Sequence, residues 1–373
     1  MSRSEPLKAR YVMIGGFLGA GKTTAVARLA RRLSDQGKRV GLISNDQSSG
    51  LVDTALLRSK GFDVEEIAGG CFCCRFNSLL EAADKLTRAT TPDVFIAEPV
   101  GSCTDLVATV SYPLRRIYGD RFEISPMSVL VDPVRAARIL GLETGRAFSE
   151  KVVYVYRKQL EEADAIVVNN CDSIDAPRRE RLVAAIREAF PKGEVFCVSA
   201  KEGSGLEPWF DKILAAEAGV TSNLDLNYDT YAEGEALLGW LNATARLKSP
   251  QPFDANQLLV GLTRDLRDRI ASAGKEIAHL KMTLDAEDGT GTLSVVSLVR
   301  SDGEPDLRES LLDRVEGGAL IVNLRAEADP EFLNAAVQAS LAELGGVTAT
   351  IEHLERFRPS RPVPVHRMKG EDA

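Results

Sequence analysis

The sequence contains no apolar run near the roughly 18 residues needed to cross a bilayer; its longer runs, such as Ala165–Val168, are strand-sized. The first ten residues are polar and mixed in charge, without the apolar stretch of a secretory leader. A cytoplasmic protein without a membrane partner is the expectation. Positive charge is not in excess: 46 Lys and Arg stand against 54 Asp and Glu, for a net charge of −8. With no global positive field to collect phosphodiesters, a nucleic-acid partner is not expected either. Histidine is scarce, with only His279, His353 and His366, all in the second half. No internal repeat is visible, so a solenoid or propeller is set aside.

What is present is enough apolar sequence, 44% of 373 residues, for more than one core. Over residues 10–220, short apolar runs at 11–14, 39–44, 64–67, 93–97, 128–131, 165–169 and 195–198 alternate with stretches of helical spacing. That alternation predicts an α/β fold, a mostly parallel sheet flanked by helices, with ligands beyond the carboxyl ends of the strands. A polar, turn-like stretch at 219–229 reads as a linker. Residues 228–358 change order. A helix is expected over 254–273, capped by Asp254, with a hairpin around Glu287-Asp288-Gly289. Another helix should open at Asp329-Pro330, and strands flank them. Residues 234–247 fit strand or helix. This is a smaller α+β domain of uncertain type, compatible with a split β-α-β arrangement. Residues 359–373, rich in Pro and Arg, read as an extended, solvated arm, with docking on an acidic client as the alternative.

The first chemical signal is Gly16-Phe-Leu-Gly19-Ala20-Gly21-Lys22-Thr23-Thr24, which fits G-x-x-x-x-G-K-[ST] between a strand and a helix. Glycines let backbone N–H groups approach phosphate oxygens. Lys22 offers a point charge, the Thr23 hydroxyl a ligand for magnesium, and the following helix the positive end of its dipole. A base reader is expected late in such a domain, where Asn169-Asn170-Cys171-Asp172 ends a buried strand. A carboxylate such as Asp172 accepts the paired N–H donors of guanine, which adenine lacks. A backbone N–H from Ser199-Ala200-Lys201 could meet the guanine carbonyl. Alone, Asp172 reads better as a turn residue or a helix cap; its place after a buried strand favours guanine.

These motifs, together with Gly70-Cys71-Phe72-Cys73-Cys74 and Glu98-Pro99-Val100-Gly101, stand in an order that resembles the CobW-like GTPases, relatives of the urease and hydrogenase nickel-insertion GTPases. The resemblance covers about residues 10–220. It implies a P-loop GTPase that delivers or allocates a metal, commonly zinc or cobalt. It also implies magnesium held by Thr23 with Asp46 and Glu98, a γ-phosphate contact from Gly101, slow turnover, a client metalloprotein as partner, and a homodimer as an option. Two segments depart from the family pattern. Asn170 stands where a Lys would lie along the guanine face. The first switch reads Asn45-Asp46-Gln47-Ser48-Ser49-Gly50, with one acid shortened and another lost.

Cys71, Cys73 and Cys74 place three soft donors within four residues, which suits zinc with a fourth position open, and an open position suits transfer. Cys103 or one of the histidines is a candidate fourth ligand. Redox chemistry or plain packing are the competing accounts of the thiols. For the chain as a whole, the competing readings are a P-loop ATPase or kinase, and a nucleotide-gated metal sensor or corrinoid-enzyme chaperone without significant turnover.

Overall fold

A computed structural model describes residues 8–45, 52–219 and 224–369. Asp46 and most of the first switch lie outside the described residues.

The first half is a parallel sheet between two layers of helices. Its strands are β1 (Ala9–Gly16), β2 (Val40–Asn45), β3 (Val64–Ile67), β4 (Val94–Glu98), β5 (Phe122–Ile124), β6 (Ser128–Val131), β7 (Ala165–Val168) and β8 (Glu194–Cys197), in the order β3-β2-β4-β1-β6-β7-β8, with β5 beside β1. The strands are near-continuous apolar runs because both faces are covered, and β4, β6 and β7 are buried throughout. The helices are α1 (Lys22–Asp35), α2 (Val52–Ser59), α3 (Phe76–Thr90), α4 (Tyr112–Tyr118), α5 (Pro133–Ile139), α6 (Glu150–Glu161), α7 (Ala176–Ala189) and α8 (Leu206–Ala215). Strand order reverses at β1, which has β4 on one side and β6 on the other. The loop after β1 therefore opens at the crevice where such sheets bind ligands.

Residues 228–357 build a second layer pair: α9 (Tyr228–Leu237), β9 (Gly239–Phe253), α10 (Ala255–Ser272), β10 (Glu276–Asp285), β11 (Leu293–Leu298), β12 (Asp306–Glu309), β13 (Val315–Glu327), α11 (Pro330–Ala342) and β14 (Thr348–Phe357). The antiparallel sheet runs β12-β11-β10-β13-β9-β14. Taken without β11 and β12, β9, α10, β10, β13, α11 and β14 form a split β-α-β unit with spatial order fourth, first, third, second. Asp254 and Asp329 cap α10 and α11, accepting from Asn256, Gln257 and Glu331 N–H.

One face of this sheet is apolar. Leu241, Ala243, Leu280, Met282, Val296, Val322 and Leu324 pack against α10 and α11. The opposite face is polar and turns toward the first half. The ambiguous stretch 234–247 divides between α9 and β9. The break falls before Gly239, where a Cβ would lie 2.4 Å from the Ala328 carbonyl oxygen. No helix among the described residues is long and apolar enough to cross a membrane.

The halves are pinned by one buried guanidinium. Arg135 of α5 lies between the rings of Phe17 and Phe148. It donates to the Leu18 carbonyl at 2.6 Å, to Ile277 and Ala278 carbonyls at 3.3 and 3.2 Å, and to that of Val299. The loop after β1 and the ends of β10 and β11 thus share one donor.

Candidate functional site

Between β1 and α1 the chain makes a tight anion-sized loop. Gly16 has φ +127°, and a Cβ there would lie 2.3 Å from the Leu130 carbonyl oxygen of β6. Gly21 has φ +90°, and its Cβ would lie 2.2 Å from the Asn169 amide nitrogen. A side chain at Gly16 would push the loop off β6, and one at Gly21 would displace the Asn169 amide as well as strain the backbone. Lys22 is buried, and its Nζ folds back to donate to the carbonyls of Gly16 at 2.9 Å and Phe17 at 3.3 Å. Thr23 Oγ1 donates to Glu98 Oε1 at 3.0 Å, which joins the start of α1 to the end of β4. A hydroxyl and a carboxylate, buried together beside a phosphate loop, are the hard oxygen donors magnesium takes. Gly101 lies against Lys22: a Cβ at Gly101 would sit 2.9 Å from Lys22 Nζ. Gly19, Gly21, Lys22, Thr23, Thr24, Glu98 and Gly101 all border one cavity of about 560 Å³.

At the far end of the sheet, Asn169 is a brace. Its amide donates to the Ala20 carbonyl at 2.9 Å and its oxygen accepts from Ala200 N–H at 2.9 Å. It locks the phosphate loop to the loop after β8. Asn170 holds a left-handed φ of 54°, and Asp172 follows it, exposed, in a single 3₁₀ turn. The N–H groups of Ser199 and Ala200 are taken by Ser204 O and Asn169 Oδ1.

The thiols meet. Cys71 Sγ lies 2.8 Å from Cys73 Sγ and 3.3 Å from Cys74 Sγ, and Cys73 lies 3.7 Å from Cys74. Sulfurs of a tetrahedral zinc site stand about 3.8 Å apart, so Cys73 and Cys74 already fit that spacing, and Cys71 and Cys73 would have to open by about 1 Å. Hydrogen bonding with the thiols of Cys103, Cys73 and Cys74 holds Cys71 well below the usual thiol range. Cys73 and Cys103 are pushed well up, first by their bonds to Cys71 and then by burial and the other thiols. Cys74 is pushed up to about 11, again first by Cys71. A cation bound there would have to displace protons from these thiols.

Two connections tie this cluster to the borders of the cavity. Asn45, at the end of β2, donates to Ile67 O at 2.9 Å and to Gly70 O at 2.7 Å, directly before Cys71. The second is the segment from Glu98 to Asp105, which passes Gly101 and Cys103 within a buried polar layer. Gln159 of α6 donates to the carbonyls of Gly101 at 2.9 Å and Cys103 at 2.8 Å. Ser102 donates to Glu235 at 2.7 Å, and Thr104 donates to Glu162 at 2.9 Å. Burial pushes the Glu162 carboxyl up to about 8, offset in part by the Val107 N–H it accepts. Burial, and then the charge of Cys71, pushes Glu235 well up. Nothing in the local sequence of Gln159, Glu162 or Glu235 marks them: each reads as one polar position on a helix.

The Pro/Arg-rich segment is extended, but it is not a free arm. It lies across the cysteines. Val363 N–H donates to Cys74 Sγ at 3.2 Å, Val365 N–H to Cys73 O at 2.9 Å and Met368 N–H to Ala108 O at 2.9 Å. The His366 ring meets Phe76 edge-on with centroids 5.0 Å apart. Arg367 pairs at 2.7 Å with Asp105, itself 1% exposed and also bonded by the Tyr228 hydroxyl at 2.6 Å. A buried carboxylate that attracts the guanidinium accounts for the docking. Val107–Ser111, beside Asp105, is a π-helical turn.

With this geometry in place, the comparison with known proteins is direct. A model of the CobW/HypB/UreG nucleotide-binding domain matches residues 10–196. The chain belongs to the CobW/HypB/UreG family. Among curated relatives, the zinc chaperone YeiR of Escherichia coli (strain K12) is 30% identical over 166 residues, 44% of this chain and 47% of its own length. The zinc chaperone CobW of a Sinorhizobium species is 31% identical over 197 residues, 47% and 54% of the two lengths. This family member spans about half the length of the curated relatives it matches. Among solved structures, the Zn(II)-bound YjiA GTPase from E. coli aligns over 89% of this chain and 98% of its own, at 14% identity and a TM-score of 0.37. HypB from Helicobacter pylori in complex with nickel aligns over 56% and 86%, at 17% identity and a TM-score of 0.41.

Proposed function

We propose that this protein is a GTP-binding, slowly GTP-hydrolysing metallochaperone. It would take zinc, or cobalt, at Cys71, Cys73 and Cys74 and pass it to a client metalloprotein. The observation that carries the reading is the shared segment Glu98–Asp105. At one end Glu98 meets Thr23 beside the phosphate loop; in the middle Cys103 meets Cys71. A change at the phosphates has a short covalent route to the thiols. The names of the two curated relatives, both zinc chaperones, support the choice of metal.

In this reading Gly19, Ala20, Gly21 and Thr24 line the phosphates with backbone N–H groups, and Lys22 turns from its carbonyl partners to the β- and γ-phosphates. Thr23 and Glu98, with Asp46, hold magnesium, which when bound neutralises phosphate charge. Gly101 reads the γ-phosphate. Asp172 reads guanine, and since Ser199 and Ala200 N–H are engaged, Lys201 N–H is the donor for the guanine carbonyl. Asn169 positions both loops. Phosphoryl transfer needs positioning and charge stabilisation more than a strong base, and none of these residues is of a type that is a strong general base.

Two measurements test the reading. Purified protein should bind roughly one zinc per chain and GTP at least tenfold more tightly than ATP; Cys71→Ser with Cys73→Ser and Cys74→Ser should lose the zinc and keep the nucleotide. Equal affinity for ATP, or zinc retained by the triple variant, would sink it.

A further inference from the structure

The phosphate cavity has two walls, and only one belongs to the nucleotide-binding half. Strand alternation fixes the other. Pairing sets His279 opposite Arg325 and Lys281 between Asn323 and Ser297. These five side chains share the sheet face that α10 and α11 leave uncovered, and all five line the same cavity as Lys22 and Thr23. Asn323, Arg325 and Ser297 are buried there. Partners within the protein satisfy buried polar groups of this face, which leaves a preformed polar wall in front of the cavity.

The two walls are fixed to each other. Lys201 pairs with Asp306 at 3.0 Å and Lys60 with Glu309 at 2.7 Å, both across the halves. Val52 N–H donates to Asn323 at 2.9 Å. Beneath them Arg135 bolts Leu18 to Ala278 and Val299. The contact is close: a Cβ at Gly19 would lie 2.7 Å from a Val299 methyl.

Charge points the same way. Among the described residues the cavity is lined by eight Lys and Arg side chains and two carboxylates, in a chain whose net charge is −8. Such a concentration of one sign in a concave, low-dielectric site favours a polyanion. Lys22 comes from one wall, and Lys281 and Arg325 from the other. Arg325 is held in place by the Leu241 carbonyl at 2.9 Å and by the Trp240 ring, 4.0 Å from its guanidinium carbon. Lys281 is half-buried on a flexible stem and already has a partner, so reaching a phosphate is an exchange of partners rather than a new cost.

We infer that the C-terminal sheet is the second wall of the nucleotide site, and that Lys281 contacts the terminal phosphates from it, a cation supplied in cis to the transferred phosphoryl group. This rests on the GTP reading above. The role separates from that of Lys22, which binds nucleoside di- and triphosphate alike. A cation opposite the phosphate loop acts on charge that grows at the γ-phosphate during transfer, and it favours the triphosphate and the transition state over the diphosphate.

The test uses the full chain with Lys281→Met, Lys281→Arg, and Lys248→Met as an exposed control on the same sheet. Affinities are measured for GDP, a non-hydrolysable GTP analogue, and GDP with aluminium fluoride, and turnover at saturating GTP. Lys281→Met should keep GDP affinity within about threefold. It should lose roughly tenfold for the GTP analogue and roughly 30- to 100-fold for GDP–aluminium fluoride and for turnover. Lys281→Arg should recover most of this, and Lys248→Met should match wild type. If Lys281→Met does not fold, judged by its thermal melt, Lys281→Gln is read by the same ratios. Equal losses for GDP and the transition-state mimic would make Lys281 a structural pin and overturn the inference, as would wild-type ratios in both Met and Gln variants. Wild-type protein that binds no GTP would instead remove the underlying reading.

Discussion

The molecule holds two sites of opposite electrical character, joined by eight residues. The phosphate cavity is charged in advance, with cations converging from both halves of the chain. The thiol cluster is the reverse: one sulfur is held toward the thiolate by its neighbours, and a buried carboxylate, Glu235, stands close enough to feel its charge. In the proposed function the first site takes an anion and the second a cation. Segment Glu98–Asp105 touches both, through Thr23 at one end and through Cys71 and the Arg367 latch further on. Two sites of opposite sign on one buried segment can be coupled by small movements of that segment, and coupling in one direction requires it in the other.

The largest expected effect separates the sites. Lys22→Ala removes the point charge from the phosphate loop, and GTP affinity should fall about 1,000-fold, while zinc bound per chain stays unchanged. Loss of zinc in that variant, measured by metal analysis, would mean that the two sites cannot be treated apart.

Arg135→Met asks whether the halves need each other. It leaves carbonyls of Leu18, Ala278 and Val299 buried without their donor, and should cost about 3 kcal/mol in urea unfolding. A loss under about 1 kcal/mol would show the bolt to be incidental.

Glu162→Gln sharpens the contrast through pH. The carboxyl titrates near 8 in the folded protein, above its ordinary value of 4.5. Folding therefore favours the protonated form. That contribution is full below about pH 4.5 and is lost as pH rises toward 8. The Gln variant cannot ionise, so it should gain on wild type across that window, by at least about 2 kcal/mol at pH 8.5 in chemical denaturation. Parallel curves for the two proteins would contradict the burial argument.

The smallest effect concerns the strap. Arg367→Ala removes the pairing with Asp105, and transfer of zinc to a chromogenic chelator should become roughly fivefold faster. An unchanged rate would mean that the strap covers the thiols without guarding them.

Local signals carried much of this. The phosphate loop, the thiols and the caps at Asp254 and Asp329 are each written within a few consecutive residues, and the helices over 22–35 and 255–272 follow from apolar spacing and cap chemistry. The region from 101 to 127 yielded no element in advance. Its helix begins as a π turn, runs into Pro113 at the first turn of α4, and is followed by a strand of three residues, so no regular period is established. The walls of the sites were hidden for a different reason. His279, Lys281 and Arg325 alternate with apolar residues, which reads as a strand with one face in water; only the tertiary packing puts another domain there. The strap bridges 289 positions, from Cys74 to Val363, and no local pattern records such a contact.

Arg135 has a practical consequence for anyone recombining this protein with its relatives. The polar stretch near residue 220 looks like the natural crossover point for exchanging second halves. A chimaera cut there would separate a guanidinium on α5 from acceptors at Ala278 and Val299, and would set Gly19 against a foreign side chain in place of Val299. The unit of exchange is therefore larger than the domain. The loop after β1, α5 and the ends of β10 and β11 have to be inherited together, as one heritable joint.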